Sequence, residues 1–416
     1  MRRPTRRSLP AAAAALAVLL AGCGSGEGRD ATGTASVERQ PVLEPWFAAA
    51  RGSADEAATV VVLGDSVSEG YGLGGHLERR WVDQLQTGLR ERLTPDCPAG
   101  PGGWHGTTSL VPAAYRGRGM LDPATTGAAL DVLDAGPGGR SLSLGPGAAL
   151  TWVVDARQVD VGYRTTPGGG VLRVEVDGET AQGAGRLRTL ADGPGTQTER
   201  RVWRSGDLGP GTHRVRVVNT SPADGGSTTV SDLRPYRDDR DRCVQVLDAS
   251  RSGVSLHFIV ERPDYLADTL ALDPDLLLVP LGFNDARAGI PPADFGADLR
   301  RLVAQARQHG YDGPVLLVGL FEPDEDVFDE DWSAYLAAMR GAAETTAGVS
   351  YLDLSAALPA VADAPDGVYV DALHPGAPGM TLIAEQMIGV LTPRPTPGRP
   401  STTPTSPPSP TATPTS

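Results

Sequence analysis

The sequence predicts an α/β fold: a parallel sheet flanked by helices, interrupted by an inserted antiparallel β-sandwich. Three observations carry this. Short apolar runs alternate with helical patterns in two separated stretches, about 56–103 and 241–392. Between them, 104–240 is rich in Gly and turn residues and places apolar residues at every second position. Outside both, 1–55 and 393–416 have compositions that do not read as wound α/β units.

Thr59–Leu63 is short, β-branched and closed by Gly64, the pattern of a strand buried on both faces. A helical period covers Leu77–Leu93. Beyond the interruption come strand-like runs at Val244–Asp248 and Leu276–Val279, then a helix over Asp294–His309. A strand at Val315–Leu320, a helix over Trp332–Glu344, a strand at Val349–Leu354 and a last helix over Met380–Val390 complete the alternation.

In the interruption, period-two runs stand at Val159-Val161-Tyr163, Leu172-Val174-Val176 and Val215-Val217. Asp177-Gly178 and Gly209-Pro210-Gly211 supply the turns between them, and the span has the size of one sandwich domain. The stretch Leu208–Val217 resembles a strand pair of jelly-roll carbohydrate-binding modules. Trp104, Trp152 and Trp203 belong to this region and serve either as sandwich core or as platforms for sugar rings.

The chain begins with Arg2, Arg3, Arg6 and Arg7, followed by apolar Ala11–Leu20 and then Ala21-Gly22-Cys23. This is a secretory leader over 1–22, too short to span as a mature helix. It resembles a bacterial lipoprotein signal, which implies cleavage before Cys23, diacylglycerol on that thiol and an extracytoplasmic, lipid-anchored protein. Arg6-Arg7 equally fits the twin-arginine export route. Residues 23–55 are expected to form a tether, and the Pro/Thr/Ser-rich 393–416 a disordered stalk.

All 37 basic residues are Arg, and the net charge of −14 leaves no basic surface for nucleic acid. Of three cysteines, lipidation of Cys23 would leave Cys97 and Cys243 as an even pair in an oxidising compartment. They bracket the interruption, and a disulfide between them is expected.

Four short segments carry the chemistry. Gly64-Asp65-Ser66 follows the first strand, where open α/β sheets place ligands. Asp371-Ala372-Leu373-His374-Pro375 can present a carboxylate and an imidazole in one turn, the arrangement of a base held by its own acid. Leu281-Gly282-Phe283-Asn284-Asp285 offers a side-chain amide at a strand end, and Ser250-Arg251-Ser252-Gly253 a glycine whose N–H can approach a substrate.

In this order, each in its strand context, the segments resemble the SGNH hydrolases, or GDSL esterases and lipases. The resemblance covers Thr59 to about Leu93 and Cys243–Leu391. It implies a three-layer, flavodoxin-like α/β/α fold with Ser66 as nucleophile, His374 as base and Asp371 as its partner. The oxyanion hole would combine the Ser66 and Gly253 N–H groups with the Asn284 amide. This chemistry needs no metal and no cofactor is expected; His76, His105, His213 and His309 have no Asp at triad spacing and no Cys or His at metal-ligand spacing.

The bland readings are a helix-capping Ser66, a loop His374 and a turn at Asn284-Asp285. Asp65 and Asp285 are expected to bond loop backbone, His257 to pack among its apolar neighbours, and acidic Glu322–Asp326 to form a solvated loop. The preferred activity is hydrolysis of O-acetyl or short acyl esters on an extracellular glycan by a monomer. A lipase or phospholipase, an acyltransferase to a sugar hydroxyl, and a glycan-binding surface lipoprotein with a vestigial site are the alternatives.

Overall fold

Short β-branched runs do build the sheet, and their order fixes where the loops of interest meet. The structure is a computed structural model that describes residues 36–38, 40–73, 77–97, 123–133, 135–190 and 199–394. The leader with Cys23, His76, Trp104, His105 and nearly all of the Pro/Thr/Ser tail lie outside these residues.

Six strands form one sheet in the spatial order Val37–Glu38, Val349–Asp353, Val315–Gly319, Leu276–Val279, Ala58–Val62, Val244–Asp248. The last five are parallel and the first is antiparallel. Numbered along the chain, the parallel strands run 2-1-3-4-5, the flavodoxin-like order. The winding reverses beside Ala58–Val62, whose neighbours are Val244–Asp248 on one side and Leu276–Val279 on the other.

Nine helices of this unit are described: α1 (Glu44–Gly52), α2 (Ser66–Glu69), α3 (Trp81–Leu93), α4 (Leu256–Val260), α5 (Pro263–Leu270), α6 (Phe283–Arg287), α7 (Pro292–Gln308), α8 (Trp332–Thr345) and α9 (Ala377–Leu391). In α3, Trp81, Val82, Leu85 and Leu89 are buried, the i, i+4, i+8 stripe of a helix laid on a sheet. Helices α3 and α9 pack together, while α4, α5, α7 and α8 form a second packed group. This is the three-layer architecture that the alternation predicts. No described helix is long and apolar enough to cross a membrane.

The expected tether is overturned over its second half. Val37–Glu38 pairs with Tyr351 and Leu352 at the sheet edge, and α1 buries Trp46 completely and Phe47 to 4% exposure. The Trp46 indole N–H donates to the Leu391 carbonyl at 3.0 Å, tying the start of the unit to its last helix. Pro45 in the first turn and the run of alanines favour the helix, and burying the two large aromatics fastens it to the unit. Of the proposed 23–55 tether, then, 37–52 belongs to the α/β unit.

The interruption forms two antiparallel sheets between Ala124 and Tyr236. One has the order Leu187–Arg188, Val171–Val176, Gly211–Asn219, Ala149–Ala156, Ala124–Thr126; the other, Arg200–Arg204, Gln158–Arg164, Thr228–Tyr236, Arg140–Leu144, Ala129–Leu133. Trp152, Val161, Val174, Val217 and Leu233 meet in the space between. Trp152 is 2% and Trp203 7% exposed, and the Trp203 N–H donates to the Gln182 carbonyl. Both are core residues, so neither is a platform for a sugar ring.

Sandwich and α/β unit are joined by polar contacts against α5. Arg164 pairs with Asp268 and Asp264, and the Gly136 N–H donates to Asp268 Oδ2 at 2.6 Å. At the point where the chain leaves and re-enters, Cys97 and Cys243 form the expected disulfide, with Cα atoms 6.3 Å apart.

Candidate active site

The reversal in strand order brings together segments that are far apart in sequence. Ser66 opens α2 directly after Ala58–Val62, and Asp65 caps that helix by accepting the Val67 N–H at 2.9 Å. Gly64 allows the close approach of the Ser250 segment: a Cβ there would lie 2.4 Å from Ser68 Oγ and 2.8 Å from Ser250 Oγ. Instead the Gly64 N–H donates to Ser250 Oγ at 3.1 Å and its carbonyl accepts the Arg251 N–H.

His374 reaches Ser66 from the loop before α9. Its Nε2 lies 2.9 Å from Ser66 Oγ, and its Nδ1 lies 2.9 Å and 3.0 Å from the two Asp371 carboxylate oxygens. Asp371 Oδ1 also accepts the N–H groups of Leu373 and His374, which closes the turn and aims the ring. Burial alone would raise the Asp371 carboxyl; the Leu373 N–H, the His374 ring and the His374 N–H outweigh it and hold it below the usual carboxylate range. Ser66 is 8% exposed, so the chain Ser66–His374–Asp371 runs from a shielded hydroxyl outward to solvent.

Asn284 follows Leu276–Val279 in α6, and its Nδ2 donates to the Val254 carbonyl at 2.9 Å. It also lies 3.4 Å from Asp65 Oδ2, the residue beside Ser66. The Val254 bond fastens Asn284 to the loop that contains Gly253, which has φ +79° and is exposed. All the site residues named from the sequence among those described, Ser66, Asp371, His374, Asn284 and Gly253, therefore gather at the carboxyl ends of three adjacent strands and the α9 loop.

The two flanking acids act as expected. Asp285 accepts the Leu256 and His257 N–H groups at 2.8 and 3.0 Å, holding the start of α4. Burial pushes its carboxyl up to about 6 against those bonds. Asp65 is pushed up to about 7, by burial first, with the Asp285 charge adding to it and the Val67 N–H opposing.

Other expectations need correction. His257 does not pack in the core: its side chain is exposed, and its Nδ1 lies 2.9 Å from Asp298 Oδ2. The five-residue α4 turns Leu256, Ile259 and Val260 inward and His257 outward. The acidic loop is not merely solvated, because the Asp324 N–H donates to the Ala372 carbonyl inside the Asp371–His374 turn.

Several residues escaped sequence reading. The Tyr71 ring lies against the His374 ring with centroids 4.3 Å apart, limiting its swing. Glu69, the last residue of α2, is 2% exposed and bonds Ser252 and the sandwich residue Arg140. Glu69 stands inside the Gly64–Gly70 segment and could have been noticed as a buried acid at a helix end; Arg140 carries no such signal.

What the arrangement can do chemically is take the proton of a serine hydroxyl with an imidazole held by a carboxylate. A profile of the GDSL-like lipase/acylhydrolase family matches residues 216–382. That match takes in Gly253, Asn284, Asp371 and His374; Ser66 lies before it, cut off by the sandwich and rejoined in space. No curated protein matches the chain by sequence.

Among solved structures, one described as a peptidoglycan O-acetylesterase in action is 16% identical with a TM-score of 0.58, covering 83% of this chain and 95% of that one. So long an alignment takes in the sandwich as well as the α/β unit. A family two carbohydrate esterase from Cellvibrio japonicus is 15% identical with a TM-score of 0.30, covering 65% of this chain and 99% of that one. Over residues 216–382 the chain matches the GDSL-like lipase/acylhydrolase family, and together with the Ser66–His374–Asp371 geometry this supports an ester-hydrolysing enzyme.

Proposed function

We propose that the protein removes O-acetyl or other short acyl groups from an extracellular glycan through an acyl-enzyme on Ser66. The observation that carries this is the unbroken chain from Ser66 Oγ through His374 to Asp371, with 2.9 Å at each junction.

In the first half-reaction, His374 Nε2 takes the Ser66 proton as Oγ attacks the acyl carbonyl carbon. Asp371, held ionised, fixes the tautomer with the proton on Nδ1 and stabilises the imidazolium. The oxyanion faces the Ser66 and Gly253 N–H groups and the Asn284 amide, each donor lowering the barrier by roughly 3 kcal/mol. Collapse expels the sugar oxygen as an alkoxide, which takes the proton from the His374 imidazolium and leaves as the free hydroxyl. Water then attacks the acyl-enzyme by the same route, releasing the acid and restoring Ser66.

The glycan part of the reading draws on the neighbouring structure described as a peptidoglycan O-acetylesterase, whose alignment spans both units. The resemblance of the leader to a lipoprotein signal supports a place on the outer face of the cell membrane, with diacylglycerol on Cys23. Hydrolysis of p-nitrophenyl esters of graded chain length, beside Ser66→Ala, tests the chemistry. Release of acetate from O-acetylated peptidoglycan tests the substrate. Fastest cleavage of the acetate ester and loss of it in Ser66→Ala are expected, and a preference for long acyl chains would redirect the proposal to lipids.

A further inference from the structure

The sandwich touches the catalytic machinery at one buried carboxylate. Glu69 Oε1 bonds the Arg140 guanidinium, while Oε2 accepts both the N–H (2.7 Å) and the hydroxyl of Ser252. Glu69 ends the helix that Ser66 begins, and Ser252 immediately precedes Gly253. One carboxylate thus holds the nucleophile helix, the loop with the glycine N–H, and the inserted domain.

Arg140 is itself held from both sides. It is 2% exposed and opens the strand Arg140–Leu144, which is paired to Thr228–Val230 and to Ala129–Leu133. The turn before it is fixed to α5: Gly136 donates to Asp268, and Gly139, at φ +64°, lies so close to Tyr265 that a Cβ would fall 2.3 Å from the ring. By contrast, Gly253 has no atom within 4 Å of where a Cβ would stand. Its loop is fastened at its ends, by the Arg251 N–H to the Gly64 carbonyl and the Val254 carbonyl to Asn284, and, among the described residues, in the middle through Ser252 and Glu69.

A carboxylate so deeply buried is tolerated only when paired and fully hydrogen-bonded. Without the Arg140 cation, Glu69 would have to take up a proton or turn toward water, and either change weakens the bonds that Oε2 accepts from Ser252.

We propose that Arg140 is a positioning residue for ester hydrolysis: acting through Glu69, it sets Ser252 and so aims the Gly253 N–H at the oxyanion. The inserted sandwich is then part of the catalytic unit and not only a glycan-facing appendage. This rests on the reading of the protein as a serine esterase with Gly253 in its oxyanion hole.

The experiment measures kcat, KM and thermal midpoint for p-nitrophenyl acetate in the full chain, for wild type, Arg140→Met, Glu69→Gln, the double variant and Ser252→Ala. A misaimed donor should lower kcat in Arg140→Met by about 10- to 100-fold with KM within about twofold. The double variant should lose less than the product of the two single losses, because Gln leaves no unpaired charge behind. Ser252→Ala keeps every charge, so it decides the matter if Arg140→Met does not fold: a several-fold loss of kcat at constant midpoint supports the proposal. Full kcat in folded Arg140→Met, or in Ser252→Ala where the former does not fold, would overturn it. An inactive wild type would overturn the esterase reading and this inference together; an active wild type with undiminished variants would overturn this inference alone.

Discussion

The α/β unit and the sandwich both bury carboxylates, but they compensate them differently. In the sandwich, Asp232 is fully buried against Arg200 and Arg234, and those cations hold it below its usual range despite burial. Around Ser66, Asp65 and Asp285 are compensated by backbone N–H groups and by an amide, and both stand high, at about 7 and about 6. Arginine pairing keeps the Asp232 charge in place, whereas the N–H donors at Asp65 and Asp285 do not offset burial; the contrast belongs to these residues, since Asp160 and Asp248 stand high beside arginines.

Replacing His374 by Ala should give the largest effect, a fall in kcat of about 10⁴-fold with the thermal midpoint nearly unchanged, checked by ester hydrolysis and calorimetry. A comparable fall from a sandwich substitution away from Arg140 would erase the distinction between the two regions. In the sandwich core the effect should appear as stability instead. Trp152→Ala should lose about 3–5 kcal/mol in denaturant unfolding while the folded fraction keeps its kcat.

Removing the Cys97–Cys243 bridge as a double Ser variant should destabilise the protein by about 2–4 kcal/mol, less than its long loop suggests, because the insert folds within that loop. Denaturant titration with and without reductant measures it.

The smallest effect concerns pH. The folded pKa of Asp65, about 7, lies above its usual 3.8, so its contribution is present in full below about pH 4 and is lost as pH rises to about 7. Asp248 and Asp285, both at about 6, act in the same sense. Glu69 and Asp371, held low, oppose this only at acid pH, where their protonation costs stability. Thermal midpoints should therefore be higher near pH 5 than near pH 8, and Asp65→Asn should flatten that slope. An unchanged slope would mean that Asp65 is compensated as Asp232 is.

The site was legible in the sequence wherever its parts lie within one turn or directly after a strand. Asp371 and His374 are three residues apart, and Ser66 and Asn284 each follow an apolar run, so local patterning placed them. The Arg140–Glu69 contact joins residues 71 apart in different units, and no local period encodes such a pairing. Helix α1 was missed although Pro45 and the alanines around it favour a helix; what fastens it, the burial of Trp46 and Phe47, is not local. His213 shows the limit of reading spacing alone: Asp177, far from it in sequence, lies 2.8 Å from its Nδ1 across a strand pair.

The sheet order also dictates a sequence of assembly. Ala58–Val62 leaves the ribosome first, yet its hydrogen-bonding neighbours begin only at Val244 and Leu276, and the Gly64–Ser250 bond spans 186 residues. An unfolded stretch of that length would make closure slow and leave a bare apolar strand waiting. Once the bridge has formed, Cys97 and Cys243 stand with their Cα atoms 6.3 Å apart, and the closure left to the central strands is short. Folding of the guest therefore favours pairing of the central strands and ties the enzyme's maturation to that of its insert.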